Sequence, residues 1–533
     1  MNKFDYIIVG GGSAGCVLAD KLSACGNYQV CLLEAGPKDS SWLIHLPIGV
    51  VELMKSKTLN WLYNSSPENT QHQRQIFNPR GKTLGGSSSV NAMLYVRGQK
   101  EDYDHWESLG NKGWAYKDVL PYFRATQHQE RGESEYHGIN GGLNVTESHS
   151  KLPIFDDFIT AAQQAGYQPN DDFNGKDQEG VGYFQVTQKN GLRCSAAKAF
   201  LTPNLARPNL TVLTDVLVEK VLVEEKQAIG VQFTKKGKIK QIYAHKEVIL
   251  SAGAFGSPQL LMLSGIGPKI ELSKHNIEVL HELDGVGQNL QEHVDVLVVN
   301  KTNRTDVIAY RPVALAKLSS HLFKFLHSRS GVLTTSVAEA GGFIKSEPDL
   351  DRPDLQIHFI PAAMDDHGRN LKLMCQYGVA MHSCLLRPKS RGSVTLFGSN
   401  PKLHPNINLN MLSDESDQKI MIKAVRAMRD IFEQPALKQD LGSEVFPGQD
   451  CQSDDEILEF LKEKANTIYH PVGTCKMGHD ALAVVDDELR VHGIDNLRVV
   501  DASIMPTLIS GNTNAPTIMI GAKAADMILS DAC

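Results

Sequence analysis

The chain has 533 residues, of which 41% are hydrophobic and 22% are charged, and its formal net charge is −7. This length can bury a large core and form two or three structural units, and the composition is that of a globular protein. The negative charge gives no electrostatic reason to expect a nucleic-acid partner. Nine cysteines are scattered without a Cys-x-x-Cys pair, which argues against a disulfide framework and against any metal site of the zinc type.

The first 34 residues have the pattern of a strand–helix–strand unit. Residues 4–9 contain an apolar run without alternation, which predicts a buried strand. Residues 14–23 have helical periodicity, and residues 30–34 predict a second strand. A unit of this length is typical of a dinucleotide-binding fold.

A glycine pattern, Gly10-x-Gly12-x-x-Gly15, joins the first strand to the helix. Glycines at this spacing let the backbone approach a pyrophosphate and present helix N–H groups to it. Glu34 follows 34 − 15 = 19 residues after the third glycine, at the end of the second strand. A carboxylate there can hold ribose hydroxyls and would repel a 2′-phosphate, so the pattern favours NAD or FAD over NADP.

A second stretch rich in glycine and serine, Gly81 to Asn91, has small residues that would allow close contact with a flat ring. By composition alone, an ordinary loop is an equally good interpretation. Further along the chain, alternating segments predict strands at 211–213, 216–223, 229–233, 247–250 and 355–359, and a helix at 419–433.

One apolar stripe lies between residues 313 and 330, with Leu315, Leu318, Leu322 and Phe325 on one helical face and cations beside them. We expect core or a lid over a pocket here, and contact with a membrane surface is the alternative. Strand-like residues from Phe4 onward leave no room for a signal peptide, so a cytoplasmic location is expected, with peripheral contact to the inner face of the cell membrane as the alternative.

Towards the other end, His470 lies in a Tyr-His-Pro sequence, and Asn512 and Asn514 follow. His470 is one of 19 histidines, and a turn would explain the tripeptide equally well. Together with the glycine patterns, however, the sequence resembles the glucose–methanol–choline (GMC) oxidoreductase family. The similarity runs in order from residue 4 to about residue 528, and it is carried by residues 81–98, 253–267, 499–503 and 511–520.

This resemblance implies an α/β fold, in which an FAD-binding Rossmann-like domain carries an inserted α+β substrate-binding domain with an antiparallel sheet and helices. The expected FAD-binding domain comprises residues 1–155, 205–300 and 465–533. The expected substrate-binding domain comprises residues 156–204 and 301–464.

The resemblance also implies FAD as the cofactor. Some relatives carry a histidine that bonds covalently to the flavin, and Val90 stands at that position here, so non-covalent FAD is expected. The residues expected at the cofactor are Gly10, Gly12, Ser13, Gly15, Glu34, Ala35, Gly85, Ser88, Asn91, Ala92, Val218, Asp501 and Ala502.

For catalysis, the resemblance aligns His470 with the base and Asn514 with the second pocket residue, and it ranks Asn512 behind Asn514. A neutral imidazole would take the hydroxyl proton, the amide would bond the developing alkoxide, and flavin N5 would take the hydride. Asp295 aligns near an acidic position that faces the cationic substrate of choline-oxidising relatives, although a purely structural aspartate is as good an interpretation. Cys475 is expected to be a small buried hydrophobe.

Within the family, three runs are most similar to bacterial aliphatic alcohol dehydrogenases of alkane-degradation pathways: residues 30–37, 79–89 and 186–191. The expected function is oxidation of a primary, medium- or long-chain alcohol to the aldehyde, with electrons passed to a membrane quinone. The alternatives are a choline dehydrogenase, an oxidase of aryl or furanic alcohols, and a flavin-binding protein without enzymatic activity. The sequence does not predict the oligomeric state.

Overall fold

A computed structural model of the protein describes residues 3–150, 152–311 and 318–531. Two large sheets of seven strands each organise the fold. In chain order their strands are Lys3–Val9 (β1), Val30–Leu33 (β2), Gly180–Tyr183 (β3), Leu210–Leu213 (β4), Leu217–Glu224 (β5), Gln227–Lys235 (β6), Lys238–Leu250 (β7), Val294–Thr302 (β8), Ala340–Ile344 (β9), Leu355–Ile360 (β10), Gly378–Leu385 (β11), Leu441–Phe446 (β12), Asn466–Thr467 (β13) and Leu497–Val499 (β14).

Helices cover both sheets, and short two-stranded pairs lie within the connecting loops. The helices are Ser13–Ser23 (α1), Trp42–His45 (α2), Val50–Leu53 (α3), Lys100–Ser108 (α4), Tyr116–Thr126 (α5), Ile154–Gln164 (α6), Gly253–Leu263 (α7), Lys269–Lys274 (α8), Leu318–Ser328 (α9), Leu371–Met374 (α10), Glu415–Phe432 (α11), Pro435–Lys438 (α12), Asp454–Lys464 (α13) and Asn514–Asp531 (α14). The short pairs join Tyr63–Asn64 to Phe77–Asn78, Gln127–Gln129 to Leu143–Val145, Gln188–Lys189 to Leu192–Arg193, Ile266–Gly267 to His281–Glu282, and Ser393–Thr395 to Asn406–Asn408.

The first sheet has the strand order β4-β2-β1-β7-β6-β5, and β14 pairs with the end of β7. Strands β4, β2, β1, β7 and β14 are parallel, and β7, β6 and β5 form an antiparallel meander. The last four residues of β1 are buried because α1 and its neighbours cover the faces of the parallel part. The predicted Rossmann-like domain is therefore confirmed.

The second sheet is antiparallel throughout, with the order β12-β8-β11-β10-β9-β3, and β13 pairs with the start of β8. Apolar faces of α6, α11 and α13 share one core with this sheet. An antiparallel sheet covered by helices is the predicted substrate-binding unit, and the α/β fold class is confirmed.

The sheets divide the chain at points that differ from the predicted boundaries. Residues 295–300 were assigned to the FAD-binding domain, yet they pair with β11 in the second sheet. Residues 196–201 were assigned to the substrate-binding domain, yet the apolar side chains among them pack in the core of the first sheet. Both boundaries fall where the chain passes between the sheets, and no change in composition marks those crossings.

The apolar stripe lies only partly within the described residues, because residues 312–317, including Leu315, lie outside them. In α9, Phe325 is buried, whereas Leu322, Phe323 and Leu326 are 48%, 68% and 64% exposed. The prediction that the stripe is part of the core is therefore wrong for Leu322. In the described ranges, no helix is both long and apolar enough to cross a membrane.

Candidate active site

A cavity of about 640 Å³ extends from the first sheet to the second. At one end it is lined by Val9, Leu33 and Ser251, at the carboxyl ends of three parallel strands, where ligands bind in open α/β sheets. At the other end it is lined by His358 and His382 of the antiparallel sheet. The cavity thus joins the two predicted functional regions.

Glycines at the first end leave no room for side chains. Gly10 has φ +108°, and a Cβ atom on it would lie 2.3 Å from the Ser251 carbonyl oxygen. A Cβ atom on Gly86, which has φ +52°, would lie 2.8 Å from Gly12 Cα. Two backbone segments therefore approach each other and the cavity directly, as a bound diphosphate requires.

Glu34 is a buried carboxylate in the cavity wall. Its Oε2 accepts the Gly11 N–H at 2.9 Å, and its Oε1 accepts the Gly36 N–H at 2.8 Å. Burial raises the Glu34 pKa to about 7, and these backbone donors oppose the shift. Because a carboxylate oxygen can accept more than one hydrogen bond, Glu34 can also hold ribose hydroxyls.

Two helix N-termini meet beside these glycines. Ser13 begins α1, Asn514 begins α14, and both line the cavity. The Ser13 hydroxyl donates to Asn514 Oδ1 at 2.7 Å, which ties the helices together. Two N-termini facing one cavity favour an anionic group, so the residues present fit the diphosphate and ribose of a dinucleotide.

The structure brings most, but not all, of the predicted cofactor residues to the cavity. Gly15, Gly85 and Ser88 are not part of its wall. Gly15 serves packing instead, because a Cβ atom there would lie 1.9 Å from the Gly10 carbonyl oxygen. The Ser88 hydroxyl is engaged with the Gly85 carbonyl and the Ala196 N–H. The predicted residues in the wall are Gly10, Gly12, Ser13, Glu34, Ala35, Asn91, Ala92, Val218, Asp501 and Ala502, and the unpredicted neighbours are Gly86 and Ser87.

His470 lies at the junction of the two sheets with its tautomer fixed by His293. The His293 Nε2 atom is 3.1 Å from the carbonyl oxygens of Leu386 and Ile509, so this nitrogen must carry the proton. Burial lowers the His293 pKa to about 4, so its Nδ1 is unprotonated and accepts from His470 Nδ1 at 2.9 Å. The lone pair of His470 is therefore on Nε2.

The amide beside His470 belongs to Asn512. Its Nδ2 donates to His470 Nε2 at 3.2 Å, and its Oδ1 accepts from Gln356 at 3.0 Å, which orients the amide. The amide of Asn514 is bonded to Ser13 instead. The prediction that ranked Asn514 ahead of Asn512 as the partner of His470 is thus corrected by the hydrogen bonding, because Asn514 is the first residue of α14 and Asn512 precedes the helix.

His470 is neutral at ordinary pH. Burial lowers its pKa well below the usual value, and the nearby His293, His358 and Arg80 lower it further. Its backbone is fixed as well, because Glu292 Oε1 accepts the His470 N–H at 2.7 Å and the His293 N–H at 3.0 Å. His293 and Glu292 were not predicted from the sequence, in which their only signal was proximity to Asp295.

Asp295 also lines the cavity, where it contacts His382 on the neighbouring strand. Asp295 Oδ2 lies 2.7 Å from His382 Nδ1; the Asp295 side chain is buried and that of His382 is 13% exposed. Burial lowers the His382 pKa, but the carboxylates of Asp295 and Asp365 outweigh it and the net direction is upward. In residues 3–150, 152–311 and 318–531, no cluster of three or more His, Cys, Asp or Glu side chains could hold a metal ion.

Comparisons with known proteins agree with this geometry. The N-terminal and C-terminal regions of GMC oxidoreductases match residues 4–295 and 388–521. An "Alcohol dehydrogenase [acceptor]" of Pseudomonas putida is 48% identical over 533 residues, which is 99% of this chain and 96% of that protein. The mitochondrial choline dehydrogenase of Homo sapiens is 45% identical, covering 99% of this chain and 90% of that one. The structure of an R554K formate oxidase from Aspergillus oryzae RIB40, studied for its FAD modification, has a TM-score of 0.92 at 28% identity and covers 99% and 98% of the two chains.

Proposed function

This chain belongs to the GMC oxidoreductase family and is an FAD-dependent oxidoreductase that acts on an alcohol, and on that premise we propose that it oxidises uncharged primary aliphatic alcohols of medium or long chain to aldehydes. The observation that carries this proposal is a neutral, oriented His470 beside Asn512 in a largely apolar cavity. Bound FAD supplies the hydride acceptor.

FAD would be held without a covalent bond to this chain at residue 90. Val90 lines the cavity and is apolar, so it offers no nucleophilic atom. The Gly10 and Gly86 backbones would hold the diphosphate, and Glu34 would hold a ribose. Denaturation with acid or guanidinium should therefore release all of the flavin into the supernatant.

His470 would act as the base and Asn512 as the hydrogen-bond donor. The alcohol hydroxyl takes the place of the Asn512 N–H at the Nε2 lone pair of His470, which takes the proton as the C–H bond breaks. The Asn512 amide donates to the alcohol oxygen as negative charge develops on it. His293 keeps the His470 lone pair on Nε2, and Gln356 keeps the amide N–H pointed at the same place.

The cavity wall supports an apolar substrate. Aliphatic side chains line it beyond His470, and they can cover a hydrocarbon chain that would otherwise remain in water. They come from α3, the second sheet and the loops around it: Val50, Val51, Met54, Leu297, Val337 and Met364.

Choline oxidation is the second candidate, because Asp295 lines the cavity and the human choline dehydrogenase is similar in sequence. The deciding experiment mixes oxidised enzyme anaerobically and in the dark with 1-octanol or with choline, and follows flavin absorbance. Rapid bleaching by 1-octanol supports the proposal. Bleaching by choline alone replaces it with the second candidate, and bleaching by neither refutes both.

We further propose a quinone-type electron acceptor, reached by peripheral attachment through α9. Leu322, Phe323 and Leu326 are exposed beside Lys324 and Arg329. Exposed apolar side chains with flanking cations suit an anionic lipid surface.

Attachment is tested by sedimentation with vesicles containing phosphatidylglycerol. The double change Phe323→Ser/Leu326→Ser should abolish binding, whereas Phe397→Ser should not, because Phe397 is 72% exposed but is not part of α9. Equal binding by both variants would contradict the proposed surface. For the acceptor, reoxidation of the reduced flavin by a short-chain ubiquinone should be faster than by oxygen.

A further inference from the structure

The contact between Asp295 and His382 bears on which alcohols the cavity accepts. The two side chains project from adjacent antiparallel strands, β8 and β11, and both line the cavity. Asp295 Oδ2 and His382 Nδ1 bond at 2.7 Å. Their other polar atoms, Asp295 Oδ1 and His382 Nε2, are buried and make no hydrogen bond to any described residue.

The pKa shifts of both groups are upward, for Asp295 because of burial and for His382 because Asp295 and Asp365 outweigh burial, and both shifts favour a proton at this contact. With one proton the pair carries no net charge, whichever partner holds it. As an ionised pair it is a carboxylate beside an imidazolium, and as an un-ionised pair it is a carboxylic acid beside an imidazole. His358 faces His382 across the strands and is neutral, because burial and two neighbouring histidines lower its pKa to about 3. The cavity wall formed by Asp295, His382 and His358 is therefore polar but carries no net charge.

The other carboxylates at this end of the cavity also have counterions. Asp365 lies 3.0 Å from the Lys464 ammonium, and Asp366 lies 2.5 Å from the Arg369 guanidinium. A cationic headgroup entering this end would lose its hydration and would meet no unpaired anion in return. Burial of a charge under these conditions is strongly unfavourable.

We propose that His382 is a specificity-determining residue, which neutralises the Asp295 carboxylate and thereby excludes quaternary ammonium alcohols in favour of uncharged ones. This inference rests on the proposed alcohol oxidation at His470. Replacing His382 by asparagine leaves an amide donor near Asp295 but removes the shared proton. Asp295 then has no cationic partner at this contact, so a bound ammonium can take that place and favour the ionised carboxylate.

The test compares choline with its uncharged isostere, 3,3-dimethylbutan-1-ol, which has the same shape. Their dissociation constants for the holoenzyme are taken anaerobically from the flavin absorbance change that precedes reduction. The wild type should bind the isostere more tightly. The His382→Asn variant should shift the ratio of the two constants towards choline by about tenfold or more, which corresponds to about 1.4 kcal/mol.

Asp295→Asn provides the matched control and a second test. In the wild-type background it should shift the ratio by less than about threefold, because a neutralised carboxylate contributes little. In the His382→Asn background it should remove the gain in choline binding. The proposal is overturned if wild type prefers choline, if His382→Asn leaves the ratio unchanged, or if Asp295→Asn alone weakens choline binding about tenfold.

Bleaching by 1-octanol is recorded with the same preparations. Its absence would refute the proposed oxidation of aliphatic alcohols. The ratio of dissociation constants is a binding quantity, so it decides the role of His382 separately.

Discussion

The two ends of the cavity are built in opposite ways. At the dinucleotide end, Gly10 and Glu34 belong to one strand–helix–strand unit, and the N–H of the next residue, Gly11, donates to the Glu34 carboxylate. At the catalytic end, His293, His470 and Asn512 come from separate parts of the chain, and each is held by the next. Cofactor binding at the first end depends on the space that glycines leave for backbone atoms. Catalysis at the second end depends on which nitrogen atoms carry protons.

The largest effect is expected at the dinucleotide end, from Gly10→Ala. The new Cβ atom would lie 2.3 Å from the Ser251 carbonyl oxygen, so the loop must move and the enzyme should purify without FAD. Gly26→Ala is the control, since Gly26 also has a positive φ, +74°, but no atom lies within 4 Å of its Cβ position. Flavin content by absorbance measures the difference, and full occupancy in Gly10→Ala would show that backbone clearance there is unimportant.

At the catalytic end, His470→Ala should retain FAD and lose the base. The rate constant for flavin reduction by 1-octanol should fall by about 10²- to 10⁴-fold, the range for general-base catalysis. Anaerobic stopped-flow absorbance measures it. Reduction at the wild-type rate would mean that another group takes the proton.

Variants of the two asparagines should affect different ends of the cavity, Asn512 the catalytic end and Asn514 the dinucleotide end. Asn512→Ala removes the donor next to His470 and should slow flavin reduction by about 10²-fold, as is typical for loss of an oxyanion donor, with little change in flavin content. Asn514→Ala breaks the bond to Ser13 and should lower FAD affinity more than the rate of reduction. The opposite pattern would restore Asn514 to the catalytic role.

A smaller loss is expected from His293→Phe, which leaves the His470 Nδ1–H without an acceptor. An unsatisfied buried donor costs about 1–3 kcal/mol, so reduction should slow by about tenfold. His293→Gln retains an acceptor and should recover part of this loss. If both variants react equally, His293 acts through packing and not through the tautomer of His470.

The smallest effect is that of pH on the wild type. Protonated His470 cannot accept a proton, so the reduction rate is lost as pH falls through the His470 pKa. Burial, His293, His358 and Arg80 lower that pKa, so the rate with 1-octanol should stay level from about pH 7 to 9 and fall only below about pH 6.5. A midpoint above that value would place a different base in the site.

The difference between the two ends also explains what could be predicted from the sequence. Gly10, Gly12 and Glu34 lie close in sequence, and their spacing alone indicates a strand–helix–strand unit. Asn512 and Asn514 are two residues apart, and only the position at which α14 begins separates their roles. His382 could not be predicted, because its contact with Asp295 depends on the pairing of β8 with β11 across more than 80 residues.

The bond between Ser13 and Asn514 has a consequence for biogenesis. The N-terminus of α1 receives its partner from α14, which lies 501 residues later in the chain, and β14 lies shortly before that helix in the chain. Domains that are continuous in sequence can fold while the ribosome is still at work. This cofactor site cannot form before α14 has been synthesised, because one of its walls lies 501 residues after the other, so flavin loading must follow the synthesis of both segments.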